Sequence, residues 1–366
     1  MWRDLSAPGK YRGCTVFLDS FEKKIDMIPG GDNRQMTVER CLNQCNKKKH
    51  TYAGLLGGTQ CNCLNFTGPM DSLHYVPTSQ CSVPCSGDPT YNCGGRNSTF
   101  SLYRTKVPDS RCSKISLKPK GSMPLIGLAS FPRSGNTWTR QLLEHATGIY
   151  TGSIYWKAER RKVGSKIFLG GNIPFDTGST LCTKVHVFNA QMIKTFHRGT
   201  ILLLRNPYRA IVSEAFRSHK GVKGAGKKFV KSRAFHIFAG WTRFVRKHAD
   251  RWLGTAINWC RKSSRLLVVN YEDLQENTSE ELMRMIKFLK QPLDMTRITC
   301  AVQELPSSQS TGVSLGSFGL RSKTYLTFDP FTKRMHERLD GHIATVNATL
   351  IRYGHAPLPN YEEAGR

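Results

Sequence analysis

Eight of the 12 cysteines crowd into one segment near the start of the chain, and they constrain its fold more than any other feature. They are Cys14, Cys41, Cys45, Cys61, Cys63, Cys81, Cys85 and Cys93. An even number of cysteines within about 80 residues is typical of a disulfide framework around a small core. A zinc site would need C-x-x-C pairs, and this segment has none, so we expect disulfides and no metal. The spacing leaves the pairing open.

Four glycosylation sequons accompany these cysteines. They start at Asn65, Asn97, Asn277 and Asn347. Sequons together with disulfides favour an oxidising, glycosylating compartment. The first ten residues contain no apolar signal segment, and no run is long enough to span a membrane. We therefore expect a truncated form that lacks an upstream anchor or signal.

The pattern of apolar residues divides the chain into three parts. Residues 11–103 are predicted to form a small disulfide-rich unit, with a helix near Thr37–Asn46. Residues 104–123 are predicted to form a linker, and residues 124–360 a larger domain. The larger domain alternates short apolar runs with helical ones, which predicts an α/β fold with a parallel sheet. The predicted strands are Leu125–Ser130, Lys184–Phe188, Thr200–Leu204 and Arg265–Asn270. The predicted helices are Thr137–His145, Pro207–His219, Arg233–Trp252, Ser279–Lys290 and Pro330–Tyr353.

Two of these helices carry predicted start signals. Thr278 with Glu281 suggests a capping box, and Asp329 followed by Pro330 suggests an N-cap and first helical position.

The charge is strongly positive and unevenly distributed. The chain has 54 Lys and Arg against 26 Asp and Glu, a formal net charge of +28 that is concentrated after residue 110. Such a charge favours an anionic partner. Residues 217–251 hold 11 Lys and Arg and only Asp250 as an acid, which indicates either a solvated helix face or a groove for an anionic acceptor. The aromatic residues there are assigned to the core: Phe235, Phe238, Trp241, Phe244 and Trp252.

The clearest chemical motif is a strand, a tight loop and a helix over Leu125–Trp138. Gly135 permits positive φ and close backbone approach, and the amides of Ser134–Thr137, Asn136 among them, would point at an anion. The guanidinium of Arg133 would add a positive charge and paired N–H donors for such an anion. The loop is not a Walker A motif, and its alternative interpretation is an ordinary strand–turn–helix connection.

A second motif follows in Ile201–Ser213. A strand ends in Arg205, Pro207 opens a helix, and Ser213 lies about two helical turns further on. Arg205 and Ser213 are therefore placed to bind a second phosphate.

These residues resemble the sulfotransferase family. F-P-R-S-G-N-T-W resembles its 5′-phosphosulfate loop, R-N-P with the serine eight residues after the arginine resembles its 3′-phosphate motif, and Val269–Leu274 resembles its Y-E-D-L stretch. The resemblance implies a P-loop-like parallel sheet and 3′-phosphoadenylyl sulfate as co-substrate, with no metal. It assigns Trp138 and Tyr271 to the adenine and Arg133 to the transferred group. Arg321 and Lys323 are the nearest match to the family's C-terminal phosphate loop.

The disulfide-rich part resembles a different family, the WSC domain, an eight-cysteine module thought to bind carbohydrate. The resemblance rests on Tyr11–Cys14, Met36–Cys41, Cys61–Cys63, Pro84–Pro89 and Cys93–Gly95. The combination resembles the WSC-domain-containing sulfotransferases, Golgi type II membrane proteins described as sialate O-sulfotransferases. It implies sialylated or other anionic glycans as partners. It also implies a membrane association through an N-terminal anchor, and we expect this chain to be a truncated form that lacks both that anchor and a first WSC domain.

The predicted catalytic base is His186. Lys184-Val-His186 resembles the K-T-H segment that carries the catalytic histidine of cytosolic sulfotransferases, so Lys184 is assigned to the catalytic segment with it. Histidine titrates near neutral pH and accepts a proton from a hydroxyl. The alternatives are a packed strand histidine, with Glu144 or Glu214 as the base.

The sequence thus predicts sulfuryl transfer to a sugar hydroxyl. A non-catalytic glycan-binding protein with a degenerate sulfotransferase fold is the alternative. The sequons and the cysteine cluster argue against nucleic-acid binding, and the sequence contains no RRM, zinc-finger or homeodomain pattern. The absence of a Walker lysine and of Mg²⁺-binding acids argues against a kinase.

Overall fold

The computed structural model describes residues 10–16, 25–32, 34–66, 74–96, 98–161, 168–218, 240–305 and 329–361. Two compact units divide the chain. The first comprises Met1–Lys114 with Met295–Cys300, and the second comprises Ile115–Asp294 with Ala301–Arg366.

The first unit is built on an antiparallel six-stranded sheet with the order β2-β4-β3-β6-β1-β5. Its strands are β1 (Lys10–Val16), β2 (Ile25–Asp32), β3 (Tyr52–Leu56), β4 (Gln60–Phe66), β5 (His74–Val76) and β6 (Thr99–Arg104). Helix α1 (Val38–Lys47) begins after Thr37, whose hydroxyl accepts a hydrogen bond from the Arg40 amide at 3.0 Å. The predicted first helix and its N-cap are confirmed.

All eight clustered cysteines form disulfides, as predicted. The pairs are Cys14–Cys81, Cys41–Cys61, Cys45–Cys63 and Cys85–Cys93. Cys41 and Cys45 lie one turn apart on the buried face of α1, so both bond to β4 and fasten the helix to the sheet. A fifth disulfide joins Cys112, in the short helix α2 (Ser110–Ser113), to Cys300.

The second unit contains a five-stranded, fully parallel sheet with the order β11-β10-β7-β9-β8. Its strands are β7 (Gly127–Ser130), β8 (Gly152–Ser153), β9 (Thr183–Val185), β10 (Thr200–Leu204) and β11 (Leu266–Asn270). A parallel sheet needs crossover connections, which the helices provide. The predicted α/β fold is therefore confirmed.

Nine further helices are described after β7. They are α3 (Asn136–Thr147), α4 (Trp156–Arg161), α5 (Ala190–Thr195), α6 (Pro207–Ser218), α7 (Trp241–Lys262), α8 (Tyr271–Glu276), α9 (Thr278–Phe288), α10 (Met295–Glu304) and α11 (Lys333–Arg352). The α10 residues Met295–Cys300 belong to the first unit. The core includes Trp241 and Trp252 of α7, as predicted, whereas Phe235 and Phe238 lie outside the described residues. No helix among the described residues has the length and apolar character that crossing a membrane requires.

Two predicted helix starts are wrong, and the start predicted at Arg233 lies outside the described residues. The described helix α7 begins at Trp241, after Gly240 with a left-handed φ of 118°, and runs beyond the predicted end at Trp252 to Lys262. Thr278 does not cap α9, because its hydroxyl donates to the Leu274 carbonyl of the preceding helix at 2.8 Å. Asp329 accepts a hydrogen bond from the Phe331 amide, and α11 begins only after Thr332.

Three of the four sequons lie in described residues. Asn277 is exposed at the junction of α8 and α9. The side-chain oxygens of Asn65 and Asn347 accept hydrogen bonds from the Thr51 and Leu358 amides. Asn97 lies outside the described residues. Glycosylation of all four remains a prediction.

Two glycines provide a matched test of the first unit. A Cβ at Gly94 would lie 2.2 Å from the Leu55 carbonyl oxygen, whereas a Cβ at Gly57 would meet nothing within 4 Å. Both have positive φ, so each alanine costs about 1–2 kcal/mol of backbone strain. We expect Gly94→Ala to unfold the unit or lower its melting temperature far more than Gly57→Ala, measured by thermal unfolding. Equal effects of the two variants would contradict the packing described.

Candidate functional site

The carboxyl ends of four parallel strands bring the predicted motifs to one edge of the sheet. Ser130 at the end of β7 pairs with Leu203 of β10, and Leu204 pairs with Asn270 at the end of β11. Val185 at the end of β9 pairs with Ala129. The loop before α3, Arg205, His186 and Tyr271 each follow one of these strands directly. Ligands of parallel α/β sheets bind at this edge.

The loop between β7 and α3 turns sharply through two left-handed residues. Arg133 has φ 68° and Gly135 has φ 91°. Gly135 precedes the first residue of α3, and a Cβ there would lie 2.3 Å from a ring carbon of Tyr271. Glycine is therefore required at position 135 for two reasons, its backbone conformation and the close packing of Tyr271.

The residues that follow Arg133 differ in how their side chains are used. Ser134 is fully buried, and its hydroxyl has no hydrogen-bond partner among the described residues. The Asn136 amide nitrogen donates to the Leu128 carbonyl at 3.2 Å and to the Ser130 hydroxyl at 3.3 Å, so this group holds the loop against β7. Thr137 is exposed. The first backbone N–H groups of α3 have no partner within the helix and attract anions.

Arg205 and Ser213 lie against this loop, as their spacing predicts. Arg205 donates to the Arg133 carbonyl at 2.7 Å, and Arg133 Nε donates to the Ser213 hydroxyl at 2.9 Å. Arg205 Nε is buried and has no partner among the described residues. The two motifs thus form one cluster, in which a buried guanidinium N–H and a buried hydroxyl are left for a ligand.

Tyr271 connects the cluster to Trp138. The Arg205 guanidinium lies 4.5 Å from the centroid of the Tyr271 ring, and the Trp138 ring meets it edge-on at 6.0 Å. Trp138 is 5% exposed, and its indole N–H donates to the Leu305 carbonyl at 2.7 Å. The described residues therefore cover most of the indole that the family resemblance assigns to adenine.

His186 is held in one tautomer. Its Nδ1 lies 2.8 Å from the Ser130 carbonyl oxygen and 3.2 Å from the Ser130 hydroxyl. A carbonyl only accepts, so Nδ1 carries the proton and Nε2 carries the lone pair. Burial, and then the nearby charges of Lys184, Arg251 and Arg217, lower the pKa of His186 to about 3. The imidazole is neutral at physiological pH, with its basic nitrogen available.

Lys184 makes an ion pair beside the histidine. Its Nζ lies 3.2 Å from Glu159 Oε1, and the same oxygen accepts a hydrogen bond from the Ser153 hydroxyl at 2.8 Å. Tyr155 contacts both members of the predicted segment: its ring lies 6.0 Å from the His186 ring and 5.7 Å from Lys184 Nζ. Lys184 therefore contributes a positive charge that Glu159 partly balances.

The two alternative carboxylates are engaged elsewhere. Glu144 is 1% exposed and accepts hydrogen bonds from the Thr151 amide, at 2.8 Å, and from the Thr151 hydroxyl. Burial raises the pKa of Glu144 to about 7. Glu214 forms an ion pair with Arg217 on the same helix. Both carboxylates therefore already have partners among the described residues.

Sequence reasoning missed three residues around His186: Tyr155, Glu159 and Arg251. The Arg251 guanidinium donates to the His186 carbonyl at 3.1 Å. The only sequence signal for it was its membership of the basic segment 217–251. Arg321, Lys323 and most of that segment lie outside the described residues.

The described residues contain one group of three close metal-ligating atoms, the sulfurs of Cys41, Cys45 and Cys61. All three sulfurs belong to disulfides and are not thiolates. This group therefore holds the fold together and does not form a metal site.

Comparison with known proteins gives two family matches. A model of the WSC domain matches residues 11–95, and a model of the sulfotransferase domain matches residues 124–312. The WSCD family member GA21586 of Drosophila pseudoobscura pseudoobscura is 34% identical over 244 residues, 66% of this chain and 72% of that protein. The WSCD family member CG9164 of Drosophila melanogaster is 33% identical over 254 residues, 69% of this chain and 74% of that protein. The crystal structure of mouse sulfotransferase SULT7A1 complexed with PAP aligns with a TM-score of 0.40 and 15% identity, covering 63% of this chain and 86% of that one.

The low pKa of His186 predicts its titration behaviour. In the ligand-free protein, the His186 ring signal in an NMR titration should not shift between pH 5 and pH 8. The unfolded state binds a proton at His186 below about pH 6.5, and the folded state does so only near pH 3. Folding stability should therefore fall as the pH drops through this window. His186→Gln identifies the signal and removes this part of the pH dependence. A midpoint near 6.5 would contradict the described environment.

Proposed function

Because this chain belongs to the WSCD family and joins a WSC domain to a sulfotransferase domain, we propose that it transfers a sulfuryl group from 3′-phosphoadenylyl sulfate to a carbohydrate hydroxyl. The proposal rests on one observation. The loop before α3, which contains Arg133, lies at the same edge of the parallel sheet as Arg205 and the neutral imidazole of His186. Sulfuryl transfer needs stabilisation of developing negative charge and a base for the hydroxyl proton. Residues for both tasks lie at this edge.

The chemistry of the donor set fits a nucleotide that carries several phosphates. The Ser134 hydroxyl and Arg205 Nε are buried donors without partners among the described residues, which is costly unless a ligand accepts from them. The start of α3 adds backbone N–H groups and the positive end of a helix dipole. The left-handed turn at Gly135 lets the backbone approach an anion closely.

We assign the residues of the proposed site to three parts of the nucleotide. The loop residues Arg133, Ser134, Gly135, Asn136 and Thr137 would hold the 5′-phosphosulfate. Arg205 and Ser213 would hold the 3′-phosphate, with Arg321 and Lys323 as further candidates, and Trp138 and Tyr271 would contact the adenine. When bound, the nucleotide supplies the sulfuryl group. Arg133 contributes a permanent positive charge that no proton transfer removes.

His186 would accept the proton of the acceptor hydroxyl at Nε2. The Ser130 carbonyl keeps the proton on Nδ1 and so leaves the Nε2 lone pair available. A pKa of about 3 describes a weak base, and its causes are burial first and then the charges of Lys184, Arg251 and Arg217, which oppose protonation. Phosphates bound nearby would offset these charges and raise the pKa of His186. The base would therefore become stronger when the donor nucleotide is bound.

The acceptor we propose is sialic acid on glycoconjugates, and the compartment is the Golgi. The net charge of +28 suits an anionic glycan, and the disulfides suit an oxidising lumen. The WSC domain would bind carbohydrate and raise the local concentration of acceptor at the second domain.

Gly135 tests the nucleotide site. An alanine there would push against Tyr271, so we expect Gly135→Ala to weaken the binding of 3′-phosphoadenosine 5′-phosphate at least tenfold in calorimetry. Gly121→Ala is the matched control, because Gly121 also has positive φ but its Cβ would meet nothing within 4 Å. Wild-type affinity in Gly135→Ala would remove the loop from the proposed site.

The reaction itself is tested by following labelled sulfate from 3′-phosphoadenylyl sulfate to a sialylated glycoprotein, with the full glycosylated chain as enzyme. We expect transfer that disappears after sialidase treatment and falls about 10²- to 10⁴-fold in His186→Ala, with nucleotide affinity retained. His355→Ala, a histidine distant in sequence from the motifs, should keep wild-type activity, whereas Arg205→Ala should lose it.

The outcomes separate the parts of the proposal. Label that survives sialidase treatment would keep the transferase and reject sialic acid as the acceptor. Nucleotide binding without any transfer would favour a glycan-binding protein. Full activity in His186→Ala would reject His186 as the base.

A further inference from the structure

Three cationic side chains surround the proposed base. Lys184, Arg217 and Arg251 each lower the pKa of His186 through their charge. Two of them have a carboxylate partner: Lys184 Nζ lies 3.2 Å from Glu159, and Arg217 is paired with Glu214. The charge of these two is therefore partly balanced within the protein.

Arg251 is different. It lies on α7, is partly buried, and donates from one terminal nitrogen to the His186 carbonyl at 3.1 Å. No carboxylate pairs with it among the residues that the structure describes. Its sequence neighbour Asp250 accepts hydrogen bonds from Arg338, at 2.6 and 2.8 Å, and from His342 at 2.9 Å. Arg251 thus brings a positive charge next to His186, and no described carboxylate forms an ion pair with it.

We propose that Arg251 binds the carboxylate of the proposed acceptor and so selects acidic over neutral sugars at this site. An arginine presents five N–H donors, and a hydrogen bond to one carbonyl leaves others for a carboxylate. This inference rests on the proposed function, because it assigns the anion at Arg251 to the acceptor of the transfer reaction.

The position of Arg251 links recognition to chemistry. Its guanidinium is bonded to the backbone of the residue whose imidazole would take the hydroxyl proton. A carboxylate held there keeps the rest of the same sugar ring close to that imidazole, and such positioning of reactants lowers the barrier of a reaction. Arg251 also lies near Tyr155, since its charge lowers the pKa of the Tyr155 hydroxyl against the larger effect of burial. Tyr155 packs against the His186 ring and bounds the same space.

The acceptor would also strengthen its own base. A carboxylate at Arg251 neutralises one of the three cations that oppose protonation of His186, so its pKa rises when an acidic sugar binds. A neutral sugar has no such effect. The site would therefore favour an acidic over a neutral sugar in the binding step and again in the proton-transfer step.

The test compares two acceptors that differ in this charge and in one methyl group. The probes are sialyllactose and its carboxyl methyl ester, and the full chain is the enzyme. We expect wild-type kcat/KM to favour the acid over the ester about 10- to 100-fold, as one charge-assisted interaction allows. In Arg251→Ala this preference should fall to within about threefold, chiefly through a higher KM for the acid. Arg246→Ala removes an exposed arginine from the same helix and should keep the preference.

Loss of the hydrogen bond to the His186 carbonyl is separated from loss of the carboxylate site. A purely structural role for Arg251 would reduce turnover of the acid and the ester equally, and that result would overturn the inference. Arg251→Lys retains the positive charge but lacks the paired N–H donors of the guanidinium, so its preference for the acid over the ester should lie between those of the wild type and Arg251→Ala. This variant keeps the test decisive if Arg251→Ala does not fold.

Three further outcomes distinguish this inference from the proposed function. If Arg251→Ala weakens the binding of 3′-phosphoadenosine 5′-phosphate as much as it weakens turnover, Arg251 belongs to the nucleotide site and the inference is wrong. Equal turnover of acid and ester by the wild-type protein would overturn the inference and leave the transferase. Turnover of neither acceptor by a protein that binds the nucleotide would overturn both.

Discussion

Parallel pairing of β7 with β10 is the constraint on which the rest of the site depends. Ser130 lies opposite Leu203 in this register, so the loop after one strand meets Arg205 after the other. The hydrogen bond from Arg205 to the Arg133 carbonyl then fixes the loop in its left-handed turn. A shift of one residue would turn every side chain of the strand to the opposite face of the sheet.

Internal carboxylates determine which positive charges remain for ligands. Glu159 balances Lys184, Glu214 balances Arg217, and Asp250 balances Arg338. Within the described residues, Ser134 and Arg205 keep unpaired donors, and Arg251 has no carboxylate. In the proposed site, the unpaired donors of Ser134 and Arg205 would meet a nucleotide, and Arg251 would meet an acidic sugar.

Local sequence patterns predicted the parts of the fold that depend on neighbouring residues. The strand Thr200–Leu204, the first helix with its Thr37 cap and the disulfide-bonded cluster are confirmed, because buried runs, caps and cysteine density are local signals. A predicted N-cap is wrong where the capping side chain makes a different contact. The Thr278 hydroxyl, for example, donates its hydrogen bond to the preceding helix. Tyr155 and Glu159 lie in one segment of the chain and Arg251 lies in another. Only the packing of these segments brings the three residues near Lys184 and His186, so no local motif could predict that they belong to the candidate site.

In the proposed site, the loop before α3 and the end of β10 bind one nucleotide together. The decisive measurement is an experimental structure of the full chain with 3′-phosphoadenosine 5′-phosphate. We expect the 5′-phosphate within hydrogen-bond distance of the Ser134 hydroxyl and the first amides of α3. We expect the 3′-phosphate at Arg205 Nε and Ser213. Phosphates bound elsewhere, with the Ser134 hydroxyl and Arg205 Nε still unpaired, would contradict the proposed site.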